Sequence, residues 1–120
     1  MEWSDRLFPE FARAVRYKIP VEGDLFLRQC ASGTNIFHLP ASYRYPTGNI
    51  PGYFTSLNWN ENFIVLEKER KEHNEYFIVD RRLETVKGPF SLKEYKETCK
   101  KNQIFLSLIP VSEMDWIINI

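Results

Sequence analysis

Hydrophobic and polar positions are patterned most clearly between residues 62 and 102. Asn62 to Lys68 carries the apolar run Phe63, Ile64, Val65, Leu66 and reads as a strand. A charged tip follows (Glu69, Arg70, Lys71, Glu72, His73, Asn74), and Glu75 to Asp80 reads as the returning strand. The chain then crosses residues 81–86 and is expected to turn at Lys87-Gly88-Pro89-Phe90. A helix is predicted from Ser91 to about Lys101. Ser91 and Glu94 have the spacing of a capping box, and Phe90 and Tyr95 that of a hydrophobic staple. Leu92, Tyr95 and Cys99 form one narrow apolar stripe, while Lys100 and Lys101 suit the negative end of the helix dipole.

On either side of this stretch the pattern is shorter in range. Residues 4–15 predict a short helix, with Leu7, Phe8, Phe11, Ala14 and Val15 on one side and Pro9 limiting its regular part. Arg16 to Ile19 reads as a short strand ended by Pro20. Residues 24–31 and 34–39 read as a hairpin across Ser32-Gly33. Leu25 and Leu27 share a face, as do Ile36 with His38 and Phe37 with Leu39, so both faces of this pair are expected to be covered. Residues 40–52 hold Pro40, Pro46, Gly48, Pro51 and Gly52, a density of breakers that predicts an ordered loop without regular structure. Tyr53 to Trp59 resumes as a strand, and Ile104 to Ile109 reads as a last one, stopped by Pro110. Ser112 with Asp115 is a weaker capping pattern, and the apolar tail beyond it is expected to dock on its own domain. The sum is an α+β fold: a mainly antiparallel sheet of about six strands with the 91–101 helix packed on one face.

Composition narrows the classes. At 120 residues the chain is expected to be one domain, 1–120, and a content of 43% hydrophobic and 15% aromatic residues is enough for a filled core. Sixteen acidic residues balance sixteen basic ones, which argues against nucleic acid or anionic lipid as the main partner. No apolar run approaches the roughly 20 residues of a membrane span. The first residues, Met1 to Arg6, show no basic or apolar signal segment, which taken literally means a cytoplasmic protein; a trimmed signal would make it periplasmic or envelope-anchored.

Candidate chemistry is sparse. Cys30 and Cys99 have no metal spacing; they read first as small buried side chains, with a disulfide or a reactive thiol as the minority readings. His38 lies in a strand and His73 in the charged tip, neither at a motif distance from a carboxylate or thiol. Asp80, Glu84 and Glu94 are expected to serve surface or capping roles. No phosphate loop or Cys/His metal pattern is present, so no catalytic, cofactor or metal residue is assigned. Tyr43-Arg44-Tyr45 is the most suggestive patch, because Tyr and Arg dominate protein–protein hot spots and a Pro/Gly-rich loop holds them at low entropic cost.

Glu75 to Asp80, then Val86-Lys87-Gly88-Pro89-Phe90, then Glu94-Tyr95 resembles small uncharacterised bacterial lipoprotein-like domains, in which an aromatic strand ending in Asp leads to a Val-x-Gly-Pro turn and a helix. Asn60 to Ile64 resembles the segment that precedes that strand. The resemblance implies a compact β-rich fold with no established activity, and this chain departs from it in having no lipobox cysteine.

The expectation is a non-enzymatic protein that binds another protein, most concretely a bacterial immunity or inhibitor protein blocking a toxin or effector. Its contact residues are expected to be Tyr43, Arg44, Tyr45, Arg70, Lys71 and His73. The alternatives are a cell-envelope domain or, further off, an enzyme with a site assembled from scattered residues such as His38 with Cys30 or Asp80.

Overall fold

Among the described residues, two antiparallel sheets of five strands stack face to face, and one α-helix covers the far side of one of them. The structure is a computed structural model that describes residues 17–29, 35–114 and 118–119. The expected 4–15 helix, the Ser32-Gly33 turn, Cys30 and Asp115 lie outside the described residues.

The first sheet is built from β1 (Tyr17–Glu22), β2 (Leu25–Gln29), β3 (Asn35–His38), β4 (Asn49–Gly52) and β10 (Ile118–Asn119), in the order β10-β1-β2-β3-β4. The second holds β5 (Phe54–Trp59), β6 (Phe63–Lys68), β7 (Glu75–Asp80), β8 (Thr85–Phe90) and β9 (Ile109–Pro110), in the order β8-β7-β6-β5-β9. Helix α1 (Leu92–Lys101) follows β8 directly. The α+β class and the helix on a sheet face are as the sequence predicts, but the strands divide between two sheets instead of sharing one.

The division follows from which faces are apolar. In β6 and β7 residues of both parities are buried, which only a strand covered on both sides tolerates. Ile64, Leu66, Phe77 and Val79 face the first sheet, where Ile19, Leu27, Phe37 and Ile50 meet them. Phe63, Val65, Tyr76 and Ile78 face the other way, toward Tyr95 of α1 and Ile104. On the other side of the first sheet Phe26, Ile36 and His38 are half-buried. There His38 stacks on Phe26 with centroids 4.6 Å apart, and its Nδ1–H donates to the Asp24 carbonyl at 2.8 Å. It is a satisfied structural histidine.

Four local expectations change. Pro20 does not end the first strand: β1 runs through it to Glu22, with Pro20 opposite Phe26. The loop over 40–52 contains a 3-10 turn at Ala41–Tyr43 and the edge strand β4, because Pro51 is tolerable at an edge position. The reversal expected at 87–90 occurs earlier, at residues 81–84, where Asp80 Oδ1 accepts the N–H groups of Arg82 and Leu83 at 2.9 and 3.1 Å. Residues 87–90 instead belong to β8, whose register shifts opposite Tyr76 to Ile78. After α1, residues 104–108 run without a ladder, burying Ile104 and half-burying Leu106 and Leu108, so that only Ile109 and Pro110 pair, with Leu57 and Ser56. Of the apolar tail, Met114 is buried between the sheets and the Ile118 backbone pairs with Lys18, while Trp116, Ile117 and Ile120 lie outside the described residues.

The helix start is as predicted. Ser91 Oγ accepts Glu94 N–H at 3.1 Å, and Glu94 Oε1 accepts Ser91 N–H at 2.9 Å. Ser91→Ala should lower stability by about 1 kcal/mol in urea unfolding, and Ser91→Thr should recover most of it.

Candidate functional site

At one end of the stack, the turns of the two sheets leave an open cleft of about 330 Å³ between them. The first sheet contributes Glu22 and Leu25 from the β1–β2 turn and Pro40, Ser42 and Tyr43 from the β3–β4 connection. The second contributes Glu61 from the β5–β6 turn and Arg81 and Glu84 from the β7–β8 turn. Leu25 is buried and the Tyr43 ring packs against the core between the sheets, while Glu22, Glu61, Arg81 and Glu84 make the lining largely charged.

Two polar ties bridge the walls. Arg81 pairs with Glu22 and donates a second hydrogen bond to the Asn60 carbonyl at 2.7 Å. Ser42 Oγ donates to Glu84 Oε2 at 3.1 Å. Glu84 sits in the left-handed region (φ 56°), the conformation that closes the 81–84 turn. Asp80 and Arg82 are engaged with each other through Arg82 Nε and Nη2, at 3.2 and 3.1 Å, and the guanidinium lies 4.6 Å over the Phe63 ring. Burial, and then the nearby carboxylates of Glu84 and Asp80, raise the Tyr43 pKa. Tyr43 is therefore an uncharged phenol at neutral pH.

The structure distributes the predicted contact residues over two ends. Tyr43 and Tyr45 both pack half-buried against the core, while Arg44 between them is exposed in a left-handed conformation (φ 54°). Arg70, Lys71 and His73 are exposed at the β6–β7 tip, which adjoins Lys68 and Glu75. The Tyr43 cleft adjoins the opposite end of the same strands, beyond Phe63 and Asp80. The two groups are separated by the full length of the hairpin and do not form one contiguous patch. The tip is also internally bonded: Asn74 Nδ2 and Tyr76 Oη both donate to Glu67 Oε2, at 2.8 and 3.0 Å, and Arg70 approaches Glu75 at 3.5 Å. Sequence reasoning did not pick out Glu22, Glu61 or Ser42, whose roles depend on neighbours from distant parts of the chain.

Other reactive groups lie elsewhere. Burial raises the Cys99 pKa, against an opposing hydrogen bond with Tyr95, so this half-buried thiol is a poor nucleophile. A recess of about 20 Å³ lined by Asp80, Lys87, Thr98 and Asn102 has room for about one water molecule. Among the described residues, no three His, Cys, Asp or Glu side chains are grouped to hold a metal ion, and no helix is long and apolar enough to cross a membrane.

No curated protein and no solved structure is significantly similar to the chain. A family model described as "Protein of unknown function (DUF3997)" matches residues 26–112, a span from β2 through the turn that follows β9 and including every cleft residue except Glu22 and Leu25. With most of its length matched, the chain belongs to the DUF3997 family.

Proposed function

We propose that this protein works by binding another protein at the cleft end, and that its most concrete role is that of a bacterial immunity or inhibitor protein that blocks a toxin or effector. The observation that carries the reading is the cleft itself. Its largely charged lining, with Leu25 and Tyr43 among it, comes from turns of two packed sheets, and cross-sheet hydrogen bonds tie its walls. A surface set in advance loses little side-chain entropy on association, so more of the contact energy appears as affinity. Arg44 stands exposed beside the half-buried tyrosines, which makes the Tyr43-Arg44-Tyr45 turn the natural rim of the contact. The tip residues Arg70, Lys71 and His73 belong to a different surface and are not needed for it.

The test begins with co-purification of the partner from native lysate and continues with calorimetry on the purified pair. Arg44→Ala with Glu84→Ala should weaken binding by at least about tenfold with little change in melting temperature, whereas Lys71→Ala with His73→Ala should leave affinity unchanged. Loss of binding in the tip variant alone would move the contact to the other end. The second reading, a cell-envelope lipoprotein-like domain, rests on the resemblance carried by residues 75–95. Lipid labelling and membrane fractionation of the native gene product would bring it forward.

A further inference from the structure

Among the described residues the two sheets have four edge strands: β10 and β4 on the first, β8 and β9 on the second. Three of the four contain an exposed proline: Pro51 in β4, Pro89 in β8 and Pro110 in β9. The fourth, β10, spans two residues. An unprotected edge presents a row of N–H and C=O groups that templates pairing with another strand.

The register shows what each proline does. Pro51 stands opposite Ile36, and Pro110 opposite Ser56. Antiparallel partners alternate between pairs that exchange hydrogen bonds and pairs whose N–H and C=O groups point away from each other. A proline has no N–H to exchange, so each of these pairs is of the second kind, and each ring nitrogen faces outward. The Leu39 N–H to Gly48 O bond at 3.0 Å fixes the same phase for β3–β4: with 39 and 48 hydrogen-bonded, 37 with 50 and 35 with 52 follow, and 36 with 51 does not. Pro51 therefore leaves the inner ladder intact while removing one of only two outward donors on β4, the other being Asn49. Pro110 removes the only outward donor of β9. On β8 the register shift around Gly88-Pro89 breaks the edge instead, with Lys87 exposed beside it.

We propose that Pro51 and Pro110, together with the irregularity at Gly88-Pro89, close the sheet edges to strand addition, so that the protein neither pairs edge to edge with a second copy of itself nor recruits a partner as an added strand. Recognition is left to side chains at the turns. This inference does not depend on the proposed partner class.

The experiment compares the full chain with Pro51→Thr, Pro110→Thr and the double variant, since threonine restores the N–H and favours strands. Mass by light scattering across a concentration series, with amide exchange on β4 and β9, is the readout. Wild type should stay at monomer mass at all concentrations. The folded double variant should show about a twofold or greater rise in mass, with slowed exchange on the altered edges. A folded double variant that remains at monomer mass overturns the proposal, as does a wild-type chain that self-associates with protection on β4. If the double variant fails to fold, Pro51→Thr alone, which leaves the second sheet untouched, decides the matter by the same two outcomes.

Discussion

Asn35→Ala should cost about 3 kcal/mol, the largest loss expected from any single polar substitution in this protein. Asn35 is fully buried at the end of β3, and its side chain spans the gap between the sheets: Nδ2 donates to the Phe54 carbonyl at 3.0 Å, and Oδ1 accepts the Phe54 N–H at 2.6 Å. Phe54 is itself fully buried, with its ring edge-on to Phe77. Alanine would leave a backbone donor and a backbone acceptor without partners in a dry interior, each worth about 1–3 kcal/mol, and would open a small void besides. Aspartate should be no better, since its carboxylate would suit the Phe54 N–H but face the carbonyl with a second acceptor. Urea midpoints of Asn35→Ala and Asn35→Asp both near wild type would show that the two sheets are not coupled through this residue.

Asp80→Ala should cost about 2 kcal/mol at neutral pH, and the deficit should shrink in acid. Burial acts to raise the Asp80 pKa, but the hydrogen bonds from the Arg82 side chain and from the Leu83 and Arg82 N–H groups outweigh it and hold the carboxyl below its ordinary value. A carboxyl whose pKa is lower in the folded state than in the unfolded one stabilises the fold above the unfolded value, about 3.9. That contribution is lost as pH falls through the folded value. Wild type and Asp80→Ala should therefore differ at neutral pH, and the gap should narrow as pH falls below the unfolded value and through the lowered folded one. A gap that stays constant across that range would mean that the turn is held by packing and not by the charge. Since the same turn carries Arg81 and Glu84 into the cleft, Asp80→Ala should also loosen that wall.

What could be read from the sequence is what local chemistry decides. The strand Glu75–Asp80 and the capped helix are found where they are predicted, because apolar runs, a capping box and short connections act within a few residues. Pro51 and Pro89 signalled breaks, yet both lie in strands; a proline at an edge costs no ladder bond, and which strand is an edge is a property of the whole sheet. The second sheet was hidden for a similar reason. Alternation says that a face is buried, but not against which other face. The cleft was the least legible part, since Ser42 meets Glu84 across 42 positions and Glu22 meets Arg81 across 59. Tyr43 and Arg44 stood out by residue type alone, and the structure gives them neighbours other than the charged tip with which they were grouped.

The order of the strands also bears on how the molecule assembles. From β1 to β4, and again from β5 to β8, every strand lies beside its successor in the chain, so most of the ordering proceeds through short closures with small entropic cost. Two pairings break that rule. β9 must return to β5 across the helix, and β10 must come back to β1 from the far end of the chain. Both are two-residue contacts that close long stretches of chain, so they are expected to form after the two meanders have docked through their apolar faces, and their amides should exchange first in the native state.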